Sequence, residues 1–425
     1  DTEVDRNWID PVMDWFNAAD VASLQNATET YWKEWLAKGT KLQLPEDKYN
    51  RQYSRALLTS VLHFDEDLGA VVAGYTNGNY AYVWPRDAVY TAMMFDKAGY
   101  PEISAKVYDW LDNVPLKSPG EFWAQKYTTD GEITWRQPQV DETAIIPFGA
   151  YYHYKVTGDL SFLTNHWDMI RHAAYVCSQD NADPDMYYDD NTKLMSSWNL
   201  WEDSRGEFLY SNASVERGLR SAAEVSDILG YSDGSIFRSR ANDIHQGISS
   251  KIAQYLQNPD NPSDGIQADI SNLGLVVPFN ILRADDPNMM GYGLNGQSDP
   301  NVTYIQPGVG IEPQIYKYAV VKQNEAPRWT DYPDITDTVR RYNGPDNDDT
   351  YFDGVWQGKY YFEGGPWALS TLWHGQYFAE YGDQEWHKNA YDVFKLKLDK
   401  TMAFRTKLDL VGEQIYVPLS QEEAD

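Results

Sequence analysis

The sequence predicts a mainly helical protein whose long polar loops carry the chemistry. Apolar residues recur with helical periodicity along most of the chain, whereas strand-like alternation is sparse. Loops such as PDNPSDG and NGPDNDDTYFDG are rich in turn-forming residues and longer than simple connections require. Long loops in a compact domain are usually functional. We therefore expect helices to form the framework and loops to form the site.

The predicted helices follow one another along the chain. Periodicity favours helices over 53–63, 86–98, 103–112, 141–155, 160–178, 213–230, 235–256, 366–381 and 384–401. Residues 7–38 are predicted to form one or two helices ahead of them, which divides the chain into a linker-helix region, 1–40, and a main domain, 41–425. No short repeat is visible, which argues against a solenoid. The pattern indicates helix pairs around a common centre.

Composition excludes several classes of function. The formal net charge of -29 would repel the phosphates of nucleic acid, and no run approaches the ~20 apolar residues of a membrane span. The single cysteine, Cys177, leaves no intrachain disulfide and is expected to be a buried core thiol. We expect a monomer or homodimer that is secreted or periplasmic, with the cytoplasm as the alternative.

The chain is rich in aromatic residues, with 16 Trp and 32 Tyr. A Trp or Tyr side chain offers a flat apolar face and a polar edge, which suits the C–H face and hydroxyl rim of a sugar ring. A Trp-rich core explains most of these residues. Several Trp, however, recur beside Asp, Glu, Arg and Gln, and this pairing favours a carbohydrate partner.

The segment YVWPRDAVY, 82–90, is the first place where aromatic and charged residues meet. Pro85 favours a helix start at or near its own position, which puts Arg86 and Asp87 in the first turn. Asp87 could cap this helix while Arg86 lies at the surface. Alternatively, the guanidinium and the carboxylate form a fork that grips two hydroxyls of one sugar.

The segment ITWRQPQVDE, 133–142, is the second place where aromatic and charged residues meet. Trp135 and its polar neighbours crowd a loop that Pro138 keeps extended. Asp141 could be the N-cap of the following helix, or it could belong to a site.

The segment SSWNLWEDSRGEFLYSNAS, 196–214, sets two adjacent carboxylates, Glu202 and Asp203, directly after Trp201. Hydrolysis of a glycosidic bond needs one protonated acid and one ionised base or nucleophile. Indoles and a neighbouring negative charge both raise the pKa of an acid, so this pair is a candidate. Buried acids also serve in structural ion pairs, which remains the alternative.

Metal and cofactor signals are poor, and we expect neither. The seven His show no zinc-ligand spacing. The segment GYGLNG, 291–296, fits a dinucleotide fingerprint but lacks the flanking strand and helix, so it is interpreted as a loop. The segment DNPSDG, 260–265, puts Pro262 where a calcium loop needs a ligand. With metal and cofactor sites set aside, acid–base catalysis by carboxylates is the chemistry that the sequence favours.

Taken together, these segments resemble glycoside hydrolase family 15, the glucoamylase-type exo-α-glucosidases. The resemblance covers roughly residues 30–419 in the family's order. It rests on YAYVWPRDA, WRQPQVDE, LWEDSRGEFLYSNA, ADISNLGLVVPFNIL, RYNGPDNDDTYFDG…GGPWALSTL and GEQ. It implies an (α/α)6 barrel with a pocket at one end and no cofactor. It also implies inverting hydrolysis of α-glucans or α-gluco-oligosaccharides from non-reducing ends, releasing β-D-glucose.

The resemblance also implies roles for individual residues. Glu202 matches the general acid and Glu413 the general base that activates water. The remaining matched or flanking positions bind substrate: Trp84, Arg86, Asp87, Trp135, Trp201, Asp203, Arg341 and Trp367.

One departure from the family pattern concerns specificity. Asp203 stands where the family commonly has Glu, which leaves the linkage open among α-1,4, α-1,6 and trehalose. Two readings remain as alternatives to an α-1,4-type hydrolase. One is a non-catalytic sugar-sensing module with the same barrel, and the other is a family member specific for α-1,6 linkages or trehalose.

Overall fold

A computed structural model gives the architecture of the chain. It describes residues 2–74, 80–117, 121–179, 181–202, 204–257, 269–290, 310–318, 320, 339, 352–356, 359–362, 368–382, 395–400 and 417–418. All structural statements below concern these residues.

Helices dominate the described chain, as the sequence predicts. The α-helices are α1 Thr2–Ala18, α2 Val21–Lys38, α3 Asp47–Val61, α4 Pro85–Ala98, α5 Pro101–Asn113, α6 Val140–Thr157, α7 Leu160–Asn165, α8 Trp167–Ser178, α9 Leu209–Leu229, α10 Gly234–Gln257, α11 Pro287–Met290, α12 Ile311–Tyr318 and α13 Ala368–Gly382. A 3-10 helix spans Ile270–Leu275. None of the described helices is long and apolar enough to cross a membrane.

Short antiparallel strands connect the helices. They are β1 Lys126–Tyr127, β2 Ile133–Trp135, β3 Asn181–Asp183, β4 Met186–Asp189, β5 Leu194–Trp198, β6 Arg205–Gly206, β7 Phe352–Trp356, β8 Lys359–Phe362 and β9 Val417–Pro418. They form three sheets, in the orders β1-β2, β3-β4-β5-β6 and β7-β8-β9. These strands are too short for sequence alternation to predict them, and the sheet β3-β4-β5-β6 occupies most of a stretch between α8 and α9 in which the sequence shows little strand-like alternation.

The core lies where α4, α6 and α9 pack against one another. α6 is buried around its whole circumference from Val140 to Ala150, so it is an interior helix rather than an amphipathic surface one. A methyl group on Gly218 of α9 would meet the carbonyl oxygen of Ala144 at 2.0 Å. The absence of a side chain there allows the backbones of α6 and α9 to approach closely.

Two of the helical segments predicted from the sequence are each divided into two helices in the structure. The helix predicted over 160–178 is divided into α7 and α8 at His166, and Asp159 caps α7 by accepting from the N–H groups of Ser161 and Phe162. Residues 7–38 form two helices. Asp20 caps α2 between them by accepting from Ser23 N–H.

The helix α2 packs into a second, smaller core. Trp35 of α2 stacks on Tyr100 with ring centroids 4.2 Å apart, and the Tyr100 hydroxyl donates to the Trp35 carbonyl. This cluster also includes Leu57 and Phe95. α2 is thus anchored by aromatic packing, and the division at residue 40 stays a prediction.

Cys177 is buried, as expected of a core thiol. Burial raises the pKa of its thiol to about 12, so the thiol is protonated and unreactive at neutral pH.

Candidate active site

Glu202 lies in the loop that joins β5 to β6. Ser197 pairs with Gly206 and Trp198 with Arg205, which leaves residues 199–204 as the tip of a hairpin. The loop is closed by Asn199 N–H, which donates to the Ser204 carbonyl at 2.9 Å, and by Glu202 N–H, which donates to the Asn199 carbonyl at 3.1 Å. The acidic residue is therefore presented from a narrow, hydrogen-bonded turn.

The backbone of Glu202 has a left-handed conformation, with φ of 67°. A residue with a Cβ adopts this region at a cost of about 1–3 kcal/mol, and such residues concentrate at functional sites. The surrounding contacts must hold the conformation in place.

The carboxyl group of Glu202 is held by an indole. Trp84 Nε1 donates to Glu202 Oε1 over 2.8 Å. Trp84 is the N-cap residue of α4 and is only 6% exposed. The preceding residue, Val83, bridges Tyr127 of β1 through two backbone hydrogen bonds of 2.8 and 2.9 Å. The helix start at Pro85, which the sequence predicts, thus sets the indole against the acid.

The segment after β2 supports the same loop from another side. Trp198 N–H donates to the Pro138 carbonyl at 3.1 Å, and the Gln139 side-chain amide donates to the Asn199 carbonyl. Two segments that the sequence analysis treated separately, ITWRQPQVDE and SSWNLWEDS, are therefore joined at the acid loop.

Trp201 fastens the acid loop to the 3-10 helix. Its Nε1 donates to Asp269 Oδ1 at 3.0 Å, and the same oxygen accepts from Ser271 N–H at 2.8 Å as the N-cap of that helix. The sequence analysis quoted this segment, ADISNLG, but gave Asp269 no role. The Asp two residues before Ser271, at the start of a helical turn, is the signal that could have identified it as a cap.

An aromatic cluster surrounds a lysine beside Trp84. Lys126 Nζ lies 4.7 Å from the ring centroid of Tyr82, 5.3 Å from that of Trp84 and 5.0 Å from that of Trp135. Cation–π attraction of this kind stabilises by ~0.5–2 kcal/mol. Trp135 remains 40% exposed, so part of its face is free for a ligand. Lys126 was missed because a lone lysine carries no sequence signal.

Arg86 is buried, which corrects the interpretation that it lies at the surface. It is 7% exposed, and its Nη1 lies 2.8 Å from Asp141 Oδ2 and 2.9 Å from Glu142 Oε1. Glu142 Oε2 also accepts from the backbone N–H of Arg86. The alternative that Asp141 caps α6 is wrong as well, because the N-cap is Gln139 and Asp141 lies in the first turn, paired with Arg86.

Asp87 remains accessible next to this cluster. Its side chain is 45% exposed, and its Oδ2 lies 3.6 Å from Arg86 Nη2. Desolvation by the surrounding protein raises the pKa of Asp87, an effect that the charge of Arg86 opposes. The carboxyl is therefore accessible to a ligand although protein surrounds it closely. Arg86 Nη2 and Asp87 thus present a donor and an acceptor side by side.

Four predicted site residues lie outside the described residues. They are Asp203, Arg341, Trp367 and Glu413. Their positions relative to Glu202 stay predictions. Within the described ranges, no group of three or more His, Cys, Asp or Glu side chains is arranged to hold a metal ion.

Comparisons with known proteins agree with this architecture. Residues 47–132 match the model of the glycosyl hydrolases family 15. An uncharacterized glycosyl hydrolase of Methanocaldococcus jannaschii is 24% identical over 416 residues, which cover 94% of this chain. The chain spans 58% of the length of that relative.

Solved structures resemble the fold. A bacterial glucoamylase complexed with acarbose superposes with a TM-score of 0.63 at 18% identity, over 94% of this chain and 56% of that one. A glycosidase variant in complex with glucose superposes with a TM-score of 0.56 at 16% identity, over 85% of both chains.

These comparisons bear first on the fold and then on the family resemblance. The fold is that of the bacterial glucoamylase structure, and the prediction of an (α/α)6 barrel is confirmed. The family model matches the segment around YAYVWPRDA in the resemblance to glycosyl hydrolases family 15, and the relative from M. jannaschii is named a glycosyl hydrolase.

The hydrogen bond from Trp84 gives a first testable prediction. Trp84→Phe removes the N–H group that orients Glu202 while keeping an aromatic ring, and we expect kcat to fall about 10-fold or more, since removal of a positioned donor costs ~1–3 kcal/mol. The matched control is Trp110→Phe, which removes an indole N–H that donates to the Thr129 carbonyl. Equal loss of activity in both variants would contradict a specific role for Trp84.

Proposed function

We propose that the protein is an inverting, exo-acting α-glucoside hydrolase that releases β-D-glucose from the non-reducing ends of α-glucans or α-gluco-oligosaccharides. Glu202 is the general acid and Glu413 the general base. The single observation that carries this proposal is the Trp84–Glu202 hydrogen bond of 2.8 Å at the tip of the β5–β6 hairpin.

That hydrogen bond differentiates the two carboxyl oxygens of Glu202. Oε1 accepts from Trp84 Nε1, whereas Oε2 accepts no hydrogen bond from any residue that the structure describes. A proton on Oε2 is therefore free to be donated to a glycosidic oxygen. An indole N–H can only donate, so Trp84 keeps the acidic proton away from Oε1.

The fork of Arg86 and Asp87 supports binding of the terminal sugar. Arg86 Nη1 is taken by Asp141, while Nη2 donates no hydrogen bond to any described residue and lies 3.6 Å from the accessible carboxylate of Asp87. A vicinal pair of hydroxyls can accept from the first group and donate to the second. Trp135, with its half-exposed indole, offers an apolar face to a sugar ring.

The reaction proceeds in one displacement. Glu202 transfers its proton to the oxygen of the leaving sugar as the glycosidic C–O bond breaks. Glu413 takes a proton from a water molecule, whose oxygen forms the new bond to the anomeric carbon from the opposite face. One water is consumed, and the configuration at that carbon is inverted.

The ligands of the structural neighbours support the choice of substrate class. The bacterial glucoamylase is complexed with acarbose, and the glycosidase variant is in complex with glucose. Because the relative from M. jannaschii is longer than this chain, linkage and chain length are the part of the proposal that needs measurement first.

The test is glucose release from maltose, isomaltose, trehalose, soluble starch and dextran in parallel. Release from at least one of them supports the proposal, and the preferred substrate identifies the linkage. Calorimetric binding of an oligosaccharide without release of glucose would instead show a sugar-sensing module and refute hydrolysis.

A further inference from the structure

Glu142 is a buried acidic residue to which neither the proposed mechanism nor the comparisons assign a role. It lies in the first turn of the interior helix α6 and is fully buried. Its two oxygens contact the same neighbour in two ways. Oε2 accepts from the backbone N–H of Arg86, and Oε1 lies 2.9 Å from the guanidinium of that residue.

These contacts tie the start of α4 to α6. The first N–H groups of a helix have no partner within it, and the N-cap residue Trp84 makes no side-chain capping bond. Glu142 supplies the missing acceptor from a neighbouring helix. It thereby fixes the turn that carries Trp84 on one side and Asp87 on the other.

The charge balance around Glu142 is unfavourable to a carboxylate. Arg86 and Asp87 face it from α4, Tyr127 faces it from β1, and Asp141 is its neighbour in α6. Cys177 of α8 and Tyr210 of α9 face Asp141 instead. One guanidinium is thus surrounded by three carboxyl groups, two of which have no access to water.

Desolvation raises the pKa of Glu142 well above its usual range, and the charges of Asp141 and Asp87 add to the effect. The charge of Arg86 and the hydrogen bond from its N–H act in the opposite direction and are the smaller influence. Asp141 Oδ1 and Glu142 Oε1 are both buried, and neither has a hydrogen-bond partner among the residues that the structure describes. A proton on Glu142 reduces the excess negative charge in this cluster.

We propose that Glu142 is a positioning residue, which as a neutral carboxylic acid fixes the first turn of α4 and with it Trp84 and Asp87 in the candidate site. Its effect on catalysis rests on the proposed function. Its neutral state is a property of the folded protein and can be tested without substrate.

The first measurement is stability against pH for the whole chain and for Glu142→Gln, whose amide mimics the neutral acid. A group whose pKa is raised in the folded state stabilises the fold at low pH, and this contribution is lost as pH rises toward the folded pKa. We expect the ratio of the folding equilibrium constant of Glu142→Gln to that of the parent to rise about tenfold per pH unit. The rise should start at about pH 4.3, the usual pKa of an unfolded glutamate.

The matched control is Glu216→Gln. Glu216 is also buried on an interior helix, but it lies 2.9 Å from the guanidinium of Arg220 and 3.1 Å from the imidazole of His245. Glu216→Gln should be less stable than the parent, and its stability relative to the parent should not increase as the pH rises. Parallel pH profiles for Glu142→Gln and the parent would overturn the neutral state of Glu142.

The second measurement separates positioning from stability. Glu142→Ala removes the acceptor for the Arg86 N–H, and we expect kcat to fall at least about 10-fold, because small displacements of catalytic groups cost ~10²-fold. Glu142→Gln keeps an acceptor and should retain kcat within about twofold. Equal kcat in the two variants would overturn the positioning role.

The two proposals can fail separately. If the parent releases glucose from no substrate, hydrolysis is refuted, and the pH profile of stability still decides the protonation state of Glu142. In that case the affinity for maltose, measured by calorimetry, replaces kcat. Weaker binding by Glu142→Ala than by Glu142→Gln supports the positioning role, and equal binding overturns it.

Discussion

Replacement of Glu202 by glutamine is expected to lower kcat by about 10²–10⁴-fold, the range that general acid catalysis contributes. The amide retains an oxygen that can accept from Trp84 Nε1, so the hairpin and its left-handed turn should be preserved. It has no proton to transfer to the leaving sugar. Oligosaccharide affinity should therefore change little while turnover is lost.

The measurement is kcat on the best substrate of the parent protein, with circular dichroism and thermal unfolding to confirm the fold. Glu224→Gln is the matched control, because Glu224 is exposed on α9 away from the described contacts of the acid loop. Turnover by Glu202→Gln near that of the control would reject Glu202 as the acid.

Replacement of Arg86 by methionine is expected to give the largest loss of stability, about 3–5 kcal/mol in the free energy of unfolding. The change leaves Asp141 buried without the guanidinium that pairs with it, and it removes the group that lies 2.9 Å from Glu142 Oε1.

Chemical denaturation at neutral pH measures this effect. Arg51→Met serves as control, since Arg51 pairs with Asp47 on the exposed face of α3 and such pairs contribute only ~0.3–0.5 kcal/mol. A loss for Arg86→Met no larger than that for Arg51→Met would show that the buried cluster does not depend on its guanidinium.

Much of the framework could be predicted from periodicity and local signals. Pro85 marks the start of α4, because its missing N–H is tolerated only in the first turn. Gly99 and Gly230, both with positive φ, end α4 and α9. These features depend on local backbone chemistry, which a sequence records directly.

The partners of the charged residues could not be predicted in the same way. Arg86 and Asp141 are 55 positions apart, and each has a plausible local role, at a surface or at a helix cap. One signal was present. The residues after Glu142 are almost uninterruptedly apolar, so the helix they form must be interior, and acids at its start must be paired there.

The candidate site was predicted as residue types rather than as contacts. The sequence indicated Trp84 and Glu202 as members of one site, but not that the indole donates to the carboxylate, because this contact depends on where two loops meet. Asp269 and Lys126 were missed for the same reason. Their roles depend on Trp201 and on three aromatic rings that come together only in the fold.

The most direct test of the central claim is the anomeric form of the first product. Proton NMR during early hydrolysis of the preferred substrate should show β-glucose first, followed by slow conversion to the equilibrium mixture, because water attacks opposite the leaving group that Glu202 protonates. Initial release of α-glucose would contradict inversion, and with it the pairing of Glu202 with Glu413 as acid and base.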